Sequence, residues 1–299
     1  MKHVITMLLV TVPASLGGQS IAPAQVSGLR DGPHQVVINN VRLWYRVAGR
    51  PAAGVPPVVF LHGGPGQGSY HFAALVGPYL ERSVRMVYFD QRGSGKSERP
   101  WTGEYSMATL VEDIEGLRRA LGVPQIALIG HSFGGVAMLS TVLAGQLKNA
   151  RRFIVSSPAL KLKVTVPQWK VSLSKVTSRL TPRLALANEV DAGTVSRIPE
   201  VVDAYRTDPL VHSKISSRLY TEWHSAANDV LAHADRIAIP FLILAGDADQ
   251  LIDPAGSEQL HAKAPQQSTL RMLPGRYHEP FNDLGGEEVF DIIASWIST

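Results

Sequence analysis

The sequence lacks features that define several large classes of protein. It has no cysteine among its 299 residues, which excludes disulfide bonds, thiolate metal ligands and a cysteine nucleophile. It has no uninterrupted apolar run of the roughly 18 residues that a membrane-spanning helix requires, which argues against an integral membrane protein. Lysine and arginine (29) outnumber aspartate and glutamate (25) by only 4, so the charge balance does not indicate a nucleic-acid binder.

The composition that remains is typical of a globular protein. Apolar residues make up 45% of the chain, enough to bury a sizeable core in one large domain or in one domain with an insertion. The 10 histidines show no metal-site spacing such as H-E-x-x-H. We therefore expect neither a metal ion nor an organic cofactor.

The first 24 residues have the pattern of an export signal. Lys2 and His3 precede an apolar run over residues 4–12, and a small-residue cleavage site follows at residues 22–24. We expect cleavage after Ala24 and export to the periplasm or the exterior. The alternative is a short, buried or frayed N-terminal segment on a cytoplasmic protein.

The rest of the chain alternates short β-branched runs with longer amphipathic ones. This pattern is typical of strands joined by crossover helices, so we predict an α/β fold with an eight-stranded, mostly parallel sheet. The predicted strands are 35–38, 41–46, 57–61, 85–89, 125–129, 153–156, 240–244 and 269–272. The predicted helices are 71–80, 106–121, 133–147, 254–264 and 287–297.

The alternation lapses between residues 158 and 236, where the spacing is helical. We predict a helical cap there, called the cap segment (residues 158–236), inserted into a core of residues 25–157 and 237–299. One helical face combines apolar and basic side chains in a stretch without acidic residues: Trp169, Leu173, Val176 and Leu180 beside Lys170, Lys175 and Arg179. Two interpretations stay open, namely that this face packs on its own domain or that it meets an anionic or amphiphilic surface.

The strongest motif is Gly130-His131-Ser132-Phe133-Gly134, a G-x-S-x-G sequence between a predicted strand and a predicted helix. A serine at such a tight turn has a strained backbone and an exposed hydroxyl, and the flanking glycines allow neighbouring backbone to approach closely. The motif in this context predicts that Ser132 is a catalytic nucleophile.

Two later loops offer a base and an acid. Serine needs a base to remove its proton, and that base needs a third group to fix its orientation. His278 and Asp249 each follow a late predicted strand, and the chain order Ser132, Asp249, His278 is expected when all three lie at the carboxyl ends of strands. Asp253 is the alternative acid, although Asp253-Pro254 is typical of a helix start.

A glycine-rich HGGPG turn at residues 62–66 follows the strand predicted at 57–61. Such a turn can direct backbone N–H groups at a developing oxyanion, and the predicted donors are the N–H groups of Gly64 and Phe133. Neither glycine pattern that binds phosphate is present. A second glycine-rich turn, DQRGSGKS at residues 90–97, is interpreted as a structural loop beside the site.

In this combination and order, the motifs resemble the α/β-hydrolase superfamily across essentially the whole predicted mature chain. The HGGPG and DQRGSGKS motifs are similar to those of prolyl iminopeptidases. The GHSFGG elbow, the Tyr277-His278-Glu279 turn with Asn282, and residues 199–212 of the cap segment resemble monoacylglycerol lipases and lysophospholipases.

Two departures weigh against the peptidase. The iminopeptidase elbow usually carries a tryptophan after the serine, where this chain has Phe133. Such peptidases also need cap carboxylates to hold a substrate amino group, and Glu189, Glu200 and Glu222 lie in no matching motif.

The resemblance implies a serine carboxylic ester hydrolase that forms an acyl-enzyme on Ser132. Its expected partner is a small-molecule ester: a monoacylglycerol, a lysophospholipid or a short-chain ester. The alternative is a proline iminopeptidase-like aminopeptidase; an acyltransferase would use the same residues, and a binding protein of this fold would usually lack one of them. No nucleic acid and no obligate protein partner are expected, and a peripheral contact of the cap segment with a lipid surface stays open.

Overall fold

The computed structural model describes residues 29–64, 67–100, 105–145, 150–164, 166–181, 184–188, 190–211 and 213–298. The predicted export signal lies outside these residues and stays a prediction. Pro65 and Gly66 of the HGGPG motif, Glu189, His212 and the end of the helix predicted at 133–147 also lie outside them.

An eight-stranded sheet forms the centre of the molecule and confirms the predicted fold class. The described residues form the strands β1 (Gly32–Ile38), β2 (Val41–Ala48), β3 (Val58–Leu61), β4 (Met86–Asp90), β5 (Ile126–His131), β6 (Ala150–Ser156), β7 (Ala185–Ala187), β8 (Lys214–Ser216), β9 (Phe241–Gly246) and β10 (Ser268–Leu273). The sheet has the order β1-β2-β4-β3-β5-β6-β9-β10. Its β1–β2 and β2–β4 pairs are antiparallel and its other pairs are parallel.

The described helices are α1 (Tyr70–Leu75), α2 (Gly77–Leu80), α3 (Met107–Ala120), α4 (Phe133–Leu143), α5 (Gln168–Leu180), α6 (Pro199–Thr207), α7 (Ser217–His233), α8 (Ala255–Lys263) and α9 (Gly286–Ser298). Helices α3, α4 and α8 belong to one buried cluster against the sheet and α1, α2 and α9 to the other, whereas α5, α6 and α7 lie in the cap segment. Every residue of β3, β4 and β5 is buried, as expected of parallel strands with helices on either side. Because these strands are parallel, their carboxyl ends lie at one edge of the sheet, where the predicted motifs are also found.

The prediction of a single helix at 71–80 is wrong, because the structure has two helices there, α1 and α2. Pro78 lies in the first turn of α2. Proline has no N–H to donate to a carbonyl one turn earlier, and it is tolerated only where a helix begins. The chain therefore ends α1 at Leu75 and starts a new helix at Gly77.

Helix α3 follows its sequence pattern closely. The Ser106 side chain accepts a hydrogen bond from the backbone N–H of Thr109 and caps the helix. Its apolar stripe is buried in the core between the helix and the sheet. A Cβ atom on Gly116 would clash with Ile38, so the glycine allows α3 to lie directly against β1.

The chain between β6 and β9 contains α5, α6, α7 and an antiparallel pair of short strands, β7 and β8. This pair was not predicted, because strands of three residues are too short to show an alternating pattern. The apolar stripe of α5 is exposed, with 63% exposure of Trp169, 55% of Val176 and 76% of Leu180. Ser174 and Ser178 occupy its buried face instead, so the interpretation that the stripe packs on its own domain is wrong. No helix among the described residues is long and apolar enough to cross a membrane.

Candidate active site

Ser132 lies at the turn between β5 and α4. Its backbone has φ 51° and ψ −117°, a conformation that a residue with a side chain rarely adopts. Its N–H donates to the carbonyl of Ser156 at 2.9 Å, which holds the turn against β6. A Cβ atom on Gly134 would clash with the carbonyls of Leu61 and His62, so only glycine allows the start of α4 to lie this close to the end of β3.

Ser132, His278 and Asp249 form a continuous chain of hydrogen bonds. Ser132 Oγ lies 3.1 Å from His278 Nε2, and His278 Nδ1 lies 2.8 Å from Asp249 Oδ2. The other carboxylate oxygen, Asp249 Oδ1, accepts the backbone N–H groups of Leu251 at 2.8 Å and Ile252 at 3.0 Å. An ionised carboxylate only accepts, so His278 carries its proton on Nδ1 and leaves Nε2 free to accept the serine proton.

Asp253, the alternative acid, takes no part in this series of hydrogen bonds. Its Oδ1 accepts the backbone N–H of Ala255 at 3.0 Å, at the start of α8. Asp247, in the same loop, accepts the N–H of Gly275 at 2.6 Å. Asp253 therefore holds a local turn, Asp247 joins its loop to the one after β10, and Asp249 is the carboxylate that contacts His278.

The two predicted oxyanion donors lie in segments next to Ser132. Phe133 is the first residue of α4, so its N–H has no acceptor within the helix. Gly64 lines the same cavity as Ser132 and His278. A Cβ atom on the preceding Gly63 would lie 3.1 Å from Ser132 Cβ, which shows how closely this loop packs against the serine.

The cavity above Ser132 lies between the sheet edge and the cap segment. Much of its wall is apolar: Ala159, Leu162, Val164, Val166, Ala187, Val190, Val195, Ile215, Leu251 and Ile252. Tyr205, Tyr220 and Trp223 add aromatic or amphipathic surface, and Lys170 is the one lysine or arginine among the described lining residues. None of the described lining residues is a carboxylate. Within the described part of the chain, no cluster of His, Asp or Glu is arranged to hold a metal ion.

Residues 55–285 match the model of a family described as serine aminopeptidase, S33. The chain belongs to this family of α/β hydrolases. A monoacylglycerol lipase of Mycolicibacterium smegmatis is 32% identical over 252 residues, which are 80% of this chain and 87% of that protein. The crystal structure of Paleococcus ferrophilus monoacylglycerol lipase has a TM-score of 0.78 and 32% identity, covering 85% of this chain and 98% of that one.

A further relative is much longer than this hydrolase. An uncharacterized abhydrolase domain-containing protein of Dictyostelium discoideum is 28% identical over 247 residues, which are 81% of this chain but 26% of that protein. The chain thus matches one part of that larger protein and nearly the full length of the two lipases.

The loop that carries His278 is held by a carboxylate that the sequence motifs did not reveal. Asp283 is buried and accepts the N–H of Tyr277 at 2.9 Å, which closes the loop around His278. It also accepts the backbone N–H of Arg197 at 2.9 Å and pairs with the Arg197 guanidinium at 3.0 Å. The hydrolase thereby ties its histidine loop to the cap segment. An acid five residues after the predicted base was the only available signal, and it has no recognisable spacing rule.

His131, next to the serine in the elbow, is a neutral packing residue. Its ring centroid lies 4.9 Å from that of His278 and 4.9 Å from that of Phe281. Burial, and then the nearby His278 imidazole, lower the pKa of His131 well below its ordinary value. The hydrolase therefore supports the His278 ring with an uncharged neighbour.

Proposed function

We propose that this hydrolase cleaves carboxylic esters with an apolar acyl chain, of the monoacylglycerol class, through an acyl-enzyme on Ser132. The observation that carries the proposal is the hydrogen-bonded series from Ser132 through His278 to Asp249 at the base of a largely apolar cavity. The two monoacylglycerol lipases at 32% identity support the same substrate class.

The geometry supports a two-step reaction. His278 Nε2 removes the proton as Ser132 Oγ attacks the ester carbonyl, and Asp249 stabilises the imidazolium that forms. The N–H groups of Gly64 and Phe133 bind the oxyanion of the tetrahedral intermediate. His278 then gives its proton to the leaving alcohol, and a water that it deprotonates hydrolyses the acyl-enzyme to release the acid.

The carboxylates of the cap segment argue against an aminopeptidase. Glu222 pairs with Arg218 at 3.0 Å and accepts the N–H of Met107, so Arg218 already neutralises its negative charge. Glu200 lies exposed in the first turn of α6. No carboxylate lines the cavity among the described residues, so the described part of its wall offers no counter-charge for a substrate amino group. An uncharged acyl chain fits this lining better than a cationic N-terminus does.

A hydrolysis panel tests the proposal. Long-chain monoacylglycerols, lysophospholipids, short-chain p-nitrophenyl esters and proline p-nitroanilide are compared by kcat/KM, with Ser132→Ala as the control. We expect monoacylglycerols to be preferred, and esters to exceed the proline anilide at least about a hundredfold, since the latter requires binding of a charged amine. Robust Ser132-dependent release of p-nitroaniline without ester preference would establish the aminopeptidase instead.

We also propose that α5 binds an anionic lipid surface that supplies the substrate. Its exposed face combines the apolar Trp169, Val176 and Leu180 with the exposed cations Lys175 and Arg179. An amphipathic helix of this kind buries its apolar side chains at the headgroup boundary, and its cations are attracted to anionic lipid.

Vesicle sedimentation tests this contact. Binding should increase with the fraction of anionic lipid and weaken as salt screens the charges. Failure to sediment with strongly anionic vesicles at low salt would contradict the proposal and leave α5 as part of the cavity wall alone.

A further inference from the structure

Two loops meet beside Ser132. The first, here called the oxyanion loop, comprises the described residues 62–64 and 67–69 between β3 and α1. The second, the brace loop, comprises residues 90–97, which begin at the last residue of β4. Because β3 and β4 are parallel neighbours, the loops begin at the same edge of the sheet. The sequence indicated only a structural role for the brace loop, and its contacts define that role.

At one end of the oxyanion loop, Gln91 holds His62 at two points. The backbone N–H of Gln91 donates to His62 Nε2 at 3.0 Å, and its side-chain Nε2 donates to the His62 carbonyl at 2.9 Å. His62 Nδ1 lies 2.7 Å from the carbonyl of Gly63. A backbone N–H can only donate and a carbonyl can only accept, so His62 is neutral with its proton on Nδ1. Burial also lowers the pKa of His62, which favours this neutral form.

At the other end, Asp90 holds Ser69. Asp90 Oδ1 accepts both the backbone N–H and the hydroxyl of Ser69, each at 2.7 Å. Its second oxygen accepts the N–H of Lys96 at 2.8 Å, within the brace loop. A Cβ atom on Gly95 would clash with the Asp90 carboxylate, so the glycine of this motif makes room for the acid. The brace loop thus contacts the oxyanion loop at its first and last residues.

Gln91 acts at a distance from the substrate. It is absent from the described residues that line the cavity above Ser132. It lines a separate, smaller cavity together with His62, Gly63 and Phe133. Any effect of its side chain on the reaction must therefore pass through the oxyanion loop, whose Gly63 packs directly against Ser132.

We propose that Gln91 is a positioning residue that sets the Gly64 N–H at the distance from Ser132 that oxyanion binding requires. This inference rests on the proposed function. Its physical basis is that an oxyanion donor stabilises the transition state only when it is already in place, and that a displacement of about 1 Å is costly. The backbone bond from Gln91 holds the His62 ring, whereas its side-chain bond holds the peptide that leads into Gly63.

The main test is Gln91→Met, which keeps a long side chain and removes the donor to the His62 carbonyl. We expect kcat for a p-nitrophenyl ester to fall about tenfold to hundredfold with little change in KM, because the loss is confined to the transition state. The inhibition constant of a trifluoromethyl ketone, whose adduct with a serine carries an oxyanion, should rise by the same factor. The control is Lys96→Ala, at an exposed side chain of the same loop, which should retain wild-type values.

A second variant keeps the test valid if Gln91→Met does not fold. In Gln91→Glu, a protonated carboxyl can donate to the His62 carbonyl, and an ionised one repels it. Among the described residues Gln91 Oε1 has no hydrogen-bond partner, so no donor compensates the charge. The activity of Gln91→Glu relative to wild type should therefore recover as the pH falls.

The outcomes separate this inference from the proposed function. Wild-type protein without Ser132-dependent ester hydrolysis contradicts both. Wild-type hydrolysis that Gln91→Met leaves intact contradicts this inference alone, as does a loss of kcat without a parallel loss of ketone affinity. A relative activity of Gln91→Glu that does not change with pH contradicts it as well.

Discussion

Helices α3 and α5 carry comparable apolar stripes and place them in opposite environments. In α3, Leu110, Ile114 and Leu117 are 6%, 1% and 0% exposed. In α5, Val176 and Leu180 are 55% and 76% exposed. Periodicity does not distinguish the two helices. It shows that a helix has an apolar and a polar face, but it does not show which face packs against the rest of the protein.

The difference arises from what each helix packs against. Helix α3 lies on the sheet, where apolar side chains fill the space between two layers. Helix α5 lies against α7, where Thr177 Oγ1 donates to Ser217 Oγ at 2.8 Å. The buried Ser174 and Ser178 hydroxyls donate to carbonyls three residues earlier in α5, so a serine face is buried with its polar groups satisfied. A helix that packs through small polar residues leaves its apolar residues exposed to solvent, as α5 does.

The largest effect should come from Ser132→Ala in the core. We expect ester hydrolysis to fall by about 10⁶-fold for soluble and vesicle-bound substrates alike, because the three groups act as a unit. Steady-state kinetics on both forms of the substrate measures this loss. Sedimentation of the variant with vesicles should match that of the wild type. Hydrolysis that survives the substitution would show that the nucleophile lies elsewhere.

The two aspartates of the β9–α8 loop give the next largest effect. Asp249→Asn should lower kcat by about 10⁴-fold, because the amide favours the wrong tautomer of His278. Asp253→Asn should leave kcat nearly unchanged, since that carboxylate accepts only the Ala255 N–H. The reverse order of the two kcat values would move the acid to Asp253.

Truncating one leucine in each helix tests the comparison directly. Leu117→Ala in α3 should lower the free energy of unfolding by about 2–5 kcal/mol, since it empties a filled core site. Leu180→Ala in α5 should change it by less than about 0.5 kcal/mol, because the side chain is exposed. Urea unfolding followed by circular dichroism measures both. Equal destabilisation would mean that the α5 stripe is covered in solution.

Acid should weaken the core through its buried neutral histidines. Burial lowers the pKa of His62 and of His131, whereas in the unfolded chain each titrates near the ordinary value of 6.5. Below that pH the unfolded state binds protons that the folded state does not, so stability present above it is lost as the pH falls toward the folded pKa. We expect a loss of up to about 1.4 kcal/mol per pH unit for each histidine. Urea unfolding at several pH values should show a shallower slope for His131→Gln, and an unchanged slope would exclude His131 as a source.

The smallest effect belongs to the charges of α5. Lys175→Glu with Arg179→Glu should weaken binding to anionic vesicles by about tenfold or more, since each cation near the surface contributes about 1 kcal/mol. Turnover of a soluble short-chain ester should not change. The control, Lys263→Glu with Arg271→Glu, makes the same charge change at exposed positions outside the cap segment and should leave vesicle binding intact. Equal loss in both double variants would indicate that net charge, not α5, governs the binding.

The sequence by itself determined the sheet and the order of its chemical groups. Each predicted strand overlaps an observed strand. The fully buried β3, β4 and β5 are continuous apolar runs, whereas β1 and β2 alternate between buried and less buried residues. The elbow around Ser132 and the loops that carry Asp249 and His278 follow strand ends, and parallel strands bring their carboxyl ends to one edge. Local pattern was sufficient because period, turn residues and chain order are all properties of neighbouring residues.

Tertiary structure decided the rest. Only packing shows that Asp249 contacts His278 while Asp253 accepts the N–H of Ala255, because both lie in one loop and differ in where the backbone directs them. Tertiary structure also brings Gln91 to His62 and Asp283 to Arg197. Each pair is far apart in sequence, so no periodic pattern predicts the contact. The direction of the α5 stripe was likewise settled by its neighbour α7, because an amphipathic pattern defines two faces and tertiary contact selects the buried one.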